Sequence, residues 1–169
     1  MQEQKLKLKQ IETFHSPTHG QLTLPEAIKK ISNFAHAKPD YQYRIIIGTD
    51  SQTKDGGGTE FVTALIVHRI GGGGVYFWKK YRREKPYALK ERIYEEATAS
   101  LTFANEFIHL LQGEPKLLHF DLEIHVDIGN RGKTRKIIAE VVAMIRGNGY
   151  RVKTKPEAYG ASSVADRHT

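Results

Sequence analysis

Tyr43-Arg44-Ile45-Ile46-Ile47-Gly48-Thr49-Asp50-Ser51-Gln52 is the stretch from which the rest of the chain is read. Three consecutive isoleucines between polar neighbours form a short, β-branched apolar run, the pattern of a strand covered on both faces. An acid, Asp50, follows directly. Downstream, residues 55–58 (Asp55-Gly56-Gly57-Gly58) form a loop, and Phe61-Val62-Thr63-Ala64-Leu65-Ile66-Val67 is a second strand. Residues 71–74, all glycine, turn the chain again, and Val75-Tyr76-Phe77-Trp78 opens a third strand that runs to about Tyr81. Both connections are short enough for an antiparallel meander.

Beyond the meander the period changes from two to 3.6. Leu89, Ile93, Ala97, Leu101, Ala104, Ile108 and Leu111 lie on one face of a helix spanning about residues 88–111, which Gly113 and Pro115 end. Leu122-Glu123-Ile124-His125-Val126-Asp127 is a fourth strand. A second long helix, with Ile137, Ile138, Val141, Val142 and Ile145 on one face, runs to Gly147. Tyr150-Arg151-Val152-Lys153 is a fifth strand, and a short terminal helix starts between Ala161 and His168. Upstream, residues 1–22 are polar and irregular. Leu24, Ala27, Ile28, Ile31, Phe34 and Ala35 make the apolar stripe of a helix with Pro25 in its first turn. The predicted organisation is an N-terminal extension, residues 1–40, carrying one amphipathic helix, followed by an α/β domain over residues 41–169. That domain is predicted as a five-stranded mixed sheet in the order β-β-β-α-β-α-β-α, with helices on both faces and right-handed crossovers in its second half.

Composition narrows the function. At 169 residues, 39% hydrophobic and 27% charged, the chain can bury one real core. No apolar run approaches the ~20 residues of a spanning helix, and Met1-Gln2-Glu3-Gln4-Lys5-Leu6-Lys7-Leu8-Lys9-Gln10 lacks the apolar centre of a signal peptide. The absence of cysteine excludes disulfides, thiolate zinc sites, iron–sulfur ligation and a cysteine nucleophile, and fits a cytoplasmic protein. Twenty-six Lys and Arg against 19 Asp and Glu, a formal charge of +7, favour a polyanionic partner, nucleic acid first.

Asp50 and Asp127 end the first and fourth strands. If those strands are parallel neighbours, both carboxylates emerge at one sheet edge, where open α/β sheets bind ligands. Two such acids repel unless a cation joins them, and Mg2+ prefers carboxylate oxygens and water. A pair of such ions ~3.5–4 Å apart can activate water for phosphodiester cleavage. Each acid alone could equally shape a turn or cap a helix. Of the acids on the first long helix, Glu96 lies nearest the apolar stripe, three residues after Ile93, while Glu95 and Glu91 point further toward water. Asp166, in Ser162-Ser163-Val164-Ala165-Asp166-Arg167-His168, is the last candidate.

This arrangement resembles the ribonuclease H-like superfamily: Asp50 after strand one, Glu96 on the first helix, Asp127 after strand four and Asp166 on the last helix. More narrowly, Ile47-Gly48-Thr49-Asp50-Ser51-Gln52 and Ala161-Ser162-Ser163-Val164-Ala165-Asp166 resemble the bacterial YkuK-type family, over about residues 41–169. The resemblance implies that the four acids bind two Mg2+ or Mn2+ ions and hydrolyse a phosphodiester. It leaves RNA, an RNA/DNA hybrid and structured DNA open as substrates. Two features depart from the pattern. The first 40 residues are extra, and Glu123 and His125 share a strand face with Asp127 where apolar side chains are expected.

Two other motifs compete. Gly129-Asn130-Arg131-Gly132-Lys133-Thr134 ends like a phosphate-binding loop of a nucleotide triphosphatase. The first glycine of that motif, however, would fall on Asp127, whose charge would face the phosphates. Arg131, Lys133 and Arg135 are assigned instead to backbone phosphates beside the metal site. In Lys79-Lys80-Tyr81-Arg82-Arg83-Glu84-Lys85-Pro86-Tyr87, the bases Lys79, Lys80, Arg82 and Arg83 can neutralise phosphates while Tyr81 or Tyr87 stacks on a base. That stretch alone would suit a non-catalytic nucleic-acid-binding module on the same fold. The four acids favour a metal-dependent nuclease.

Overall fold

The three isoleucines lie in β3 (Tyr43–Thr53), a central strand of the computed structural model, which describes residues 12–129, 132–160, 164 and 166–168, the side chains of Lys133 and Asp166 excepted. Alternation sends Ile45 and Ile47 to one face of the sheet and Ile46 to the other, and all three are buried. β4 (Thr59–Arg69) pairs with β3 antiparallel from Tyr43↔Arg69 to Thr53↔Thr59, and β5 (Gly74–Arg83) pairs with β4 in the same sense. On its other side β3 pairs in parallel with β6 (Asp121–Val126), which pairs in parallel with β7 (Arg151–Thr154).

Among the described residues the sheet has seven strands, not the predicted five: with β1 (Phe14–Ser16) and β2 (Gly20–Leu22) the order is β2-β1-β5-β4-β3-β6-β7. The two extra strands form a small hairpin that joins β5 at His15↔Trp78. Three-residue strands are too short to show an alternating pattern, so the polar turn between them dominates their sequence. α1 (Leu24–Ala37) follows at once, started by a capping box in which the Thr23 amide donates to Glu26 Oε2 at 2.7 Å.

Helical residues lie on both faces of the sheet, the three long helices on one and Gly160 and Val164 on the other. α1, α2 (Leu89–Leu110) and α3 (Arg135–Gly147) all bury their apolar sides on one face, against Ile45, Ile47, Leu65, Phe77 and Ile124. The opposite face carries Ile46, Val62, Ala64 and Ile66, with Tyr76 and Trp78 beside them, and receives Val164 from the C-terminal segment. That segment is anchored at both ends. The Gly160 amide donates to His125 Nδ1 at 3.0 Å over β6, and the His168 ring stacks on Trp78 at 4.2 Å over β5. Gly160 needs to be glycine, because a Cβ there would come within 2.5 Å of Ile46 Cγ2. Asp166–His168 is a 3-10 turn, and residues 161–163 and 165 of the expected terminal helix lie outside the described residues. No helix among the described residues is long and apolar enough to cross a membrane.

One buried cation ties the N-terminal helix to the sheet. Arg69, at the end of β4, donates through Nε to the Tyr43 hydroxyl at 3.0 Å and through Nη2 to the Phe34 carbonyl at 2.7 Å, and its guanidinium lies 3.8 Å from the Phe34 ring centre. Arg69→Ala should lower stability in urea unfolding by about 2–4 kcal/mol, since it opens a cavity and strips partners from a buried carbonyl. Arg69→Lys should recover little of this, because an ammonium lacks the planar fork that meets both acceptors while stacked on a ring.

Candidate active site

β3 outruns its parallel neighbour. The β3–β6 ladder ends at Gly48↔His125, while β3 continues to Thr53 paired with β4 alone. Asp50 and Asp127 each lie two residues past that last pair. Alternation puts half-buried Asp50 on the face of Ile46, and turns Thr49 and Ser51 toward α2. Two polar rungs then fix the rotation of that helix. Thr49 Oγ1 lies 2.8 Å from Ser100 Oγ and 2.9 Å from Thr63 Oγ1, and Ser51 Oγ donates to Glu96 Oε1 at 2.5 Å. Ile93, Ala97 and Leu101 pack around these rungs and press Glu96 against the strand, where it is 8% exposed.

Burial pushes the Glu96 carboxyl up to about 7. The charges of Asp50 and Asp127 add to that effect, while the Ser51 hydrogen bond and Arg92 oppose it. Asp50, Glu96 and Asp127 are thus brought into one electrostatic neighbourhood. Glu95 is turned elsewhere: its Oε1 accepts from the Tyr81 hydroxyl at 3.5 Å and lies 3.9 Å from Arg83 Nε. Asp166 belongs to the 3-10 turn of the C-terminal segment, and its carboxylate is outside the described atoms. Among the described residues, no three His, Asp or Glu side chains are gathered tightly enough to hold an ion as they stand.

Asp127 has a neighbour that the sequence did not announce. Lys155 Nζ lies 3.0 Å from Asp127 Oδ1, yet that buried oxygen receives no aligned hydrogen bond from the described residues, so these two meet by charge and not by donation. The bond from Ser51 to Glu96 is visible only once α2 has docked. Glu123 and His125 are explained by the segment above them. Because Nδ1 accepts from Gly160, the imidazole proton sits on Nε2, 3.0 Å from Glu123 Oε2, and Glu123 Oε1 lies 3.4 Å from Arg44 Nε. Burial holds the His125 pKa below its usual value, against the pull of Glu123, and the Tyr159 ring packs edge-on to it at 4.9 Å. This polar pair fastens the chain that leads to Asp166.

The basic stretch divides by strand parity. Lys79 and Arg83 turn to the α2 side, Lys80 and Arg82 to the Asp50 side. Each lies near an acid: Lys79 2.6 Å from Glu12, Lys80 3.6 Å from Glu60, Arg82 2.8 Å from Glu84 and Arg83 3.9 Å from Glu95. Lys79 is further enclosed over the Phe14 and Phe103 rings. The expected stacking platform is also engaged, since Tyr81 stacks on Phe61 at 5.0 Å and Tyr87 meets the same ring edge-on at 5.4 Å. Of the second basic group, Arg131 and the side chain of Lys133 lie outside the description. Arg135 is exposed at the start of α3, whose first turn carries no acid.

Comparison with known proteins agrees with this topology. A family model described as ribonuclease H-like matches residues 26–169. The chain is also similar to a curated protein of Bacillus subtilis (strain 168), printed as "Uncharacterized protein YkuK", with 34% identity over 167 residues that cover 92% of this chain and 96% of the relative. No solved structure matches significantly.

The raised Glu96 carboxyl has a measurable signature in metal-free protein. Its folded value of about 7 stands above the ordinary 4.5, so between these values the native state keeps a proton that the unfolded chain has released. Stability is therefore lost as pH rises through that window, and the loss is complete above it. Glu96→Gln keeps an oxygen for Ser51 and removes the charge. In urea unfolding with chelator present, the variant should match wild type near pH 4 and exceed it at pH 8, by at most about 3 kcal/mol. Parallel stability curves for the two proteins would remove Glu96 from the acid cluster.

Proposed function

The chain belongs to the ribonuclease H-like family, in its YkuK-type group, and on that premise we propose that it is a metal-dependent nuclease hydrolysing phosphodiester bonds in RNA, an RNA/DNA hybrid or structured DNA. In this reading Asp50, Glu96, Asp127 and Asp166 hold Mg2+ or Mn2+. The observation that carries it is the state of Glu96, a carboxyl buried against β3 whose ionisation is opposed by burial and by two neighbouring acids. Such a cluster disfavours its own charge, and a divalent cation relieves it. The residues fit the ion in two further respects. Among the described residues, Asp127 Oδ1 is buried without a hydrogen-bond donor, and the ligand set is all oxygen, which suits a hard cation.

Bound there, the ion would lower the pKa of an attacking water and offset charge on the leaving oxygen. The chain's own residues prepare the place. Ser51 fixes one oxygen of Glu96, and Asp50 and Asp127, each two residues past the last β3–β6 pair, both act by charge on that carboxyl. His125 holds Gly160, and through it the segment that carries Asp166.

Asp50, Val62 and Lys80 lie in one row across β3, β4 and β5. Two strand spacings put the Lys80 backbone ~10 Å from that of Asp50, and Arg82 lies one row further along the same face. A nucleic-acid strand crossing that face meets these two bases, while Arg135 and the 131–133 loop extend the contact past Asp127. The ion pairs of Lys80 and Arg82 are partly exposed and easily exchanged for phosphate. Lys79 and Arg83 face the other way.

The test is a labelled panel of RNA, hybrid, duplex and branched DNA, with Mg2+, Mn2+ or chelator. Metal-dependent cleavage is expected, and Asp50→Asn and Asp127→Asn should each reduce it by at least about two orders of magnitude with the fold intact. Near-wild-type cleavage by Asp50→Asn would overturn the assignment, and wild-type binding without cleavage would favour a non-catalytic nucleic-acid-binding module. In the same assay run as a salt titration, Arg82→Ala should weaken binding and flatten the salt slope by about one ion. Arg83→Ala should leave both unchanged.

A further inference from the structure

Lys155 stands opposite Asp127 because the sheet puts it there. The last register pair between β6 and β7 is Val126↔Thr154, so Asp127 and Lys155 are the next residues on adjacent parallel strands. The Lys155 amide donates to the Ile128 carbonyl at 3.2 Å, which ties the two strand ends together just past the acid. The ammonium therefore reaches Asp127 Oδ1, at 3.0 Å, from a fixed backbone position. The two side chains differ in environment. Lys155 is 51% exposed and can withdraw into water on its flexible stem, whereas Asp127 is 20% exposed and its Oδ1 is buried.

We infer that Lys155 is a built-in competitor of the divalent ion: its ammonium neutralises Asp127 in the metal-free protein and must leave before that carboxylate can serve a metal. This inference rests on the metal-binding reading of the acid cluster. It follows from the charge arithmetic of the site. With Asp50 and Glu96 nearby, an Asp127 lacking any cation would be the third carboxylate of a mutually repelling set. One monovalent cation, held by charge without an aligned hydrogen bond, makes the metal-free site tolerable and yet displaceable. Metal entry is then an exchange of cations at one oxygen, and the apparent metal affinity is lower than the acids alone would give.

The experiment titrates full-length protein with Mn2+ alone, no nucleic acid present, and reads free Mn2+ by electron paramagnetic resonance at low ionic strength. Lys155→Met keeps an unbranched stem and removes the charge, and should bind Mn2+ up to about fivefold more tightly than wild type, the scale of one partly screened charge pair. Lys155→Arg keeps the charge and should stay near wild type, with circular dichroism reporting that both variants are folded. Mn2+ binding by Lys155→Met with none by wild type would support the inference more strongly still. Equal or weaker binding by Lys155→Met, or no binding by either protein, would overturn it. The nuclease panel separates the two readings. Tighter Mn2+ binding without cleavage by wild type would leave the competitor standing and remove the nuclease, and unaltered affinity in a wild type that cleaves would do the reverse.

Discussion

The unequal length of two neighbouring strands is the constraint on which the rest depends. β6 stops pairing with β3 at His125 while β3 runs on to Thr53 paired with β4 alone, which leaves a step at the strand where parallel and antiparallel pairing meet. Every acid of the site is defined relative to that step. Asp50 stands on the wall that continues, Asp127 on the strand that ends, and Glu96 comes across from α2 on a hydrogen bond to the residue next to Asp50. Fully matched strands would have placed Asp50 inside the ladder between paired neighbours, with no room for a ligand.

The two faces of the sheet divide the labour. The helical face supplies stability, since α1, α2 and α3 share one core there and Arg69 locks the first helix to β4. Among the described residues the opposite face carries the smaller apolar cluster, and it holds the parts that touch a substrate in the proposed reading. Glu96 links the faces at a price in stability, because it sits on a stabilising helix but answers to the charges of the site.

Much of this was legible in the residues, for reasons that can be stated. Ile45, Ile46 and Ile47 are all apolar because both faces of β3 are covered, and Glu96 is nearest the sheet because it follows Ile93 by one helical turn. What escaped reading depends on partners distant in sequence. The β1–β2 hairpin is held by a strand some 60 residues away, and its own three-residue strands carry no period. The stretch Lys79 to Arg83 reads as a basic patch because composition ignores parity, whereas the sheet splits it between faces and sets Glu12, Glu60, Glu84 and Glu95 against it. A lone lysine before a proline has no motif at all, and Lys155 acquires meaning only from the register of two parallel strands.

The split personality of β3 also sets an order of assembly. β4, its antiparallel neighbour, and β5 beyond it arrive through loops of five and four residues, so β3, β4 and β5 can zip together locally. Its parallel neighbour arrives only after about 70 intervening residues have been drawn in, with a correspondingly larger closure entropy. Asp50 is therefore in place early, and Glu96 and Asp127 come to it with the slow docking of α2 and β6. The repulsion among the three acids falls on that late step. The electrostatics of the site thus bear on how fast the chain reaches its native state as well as on how stable that state is.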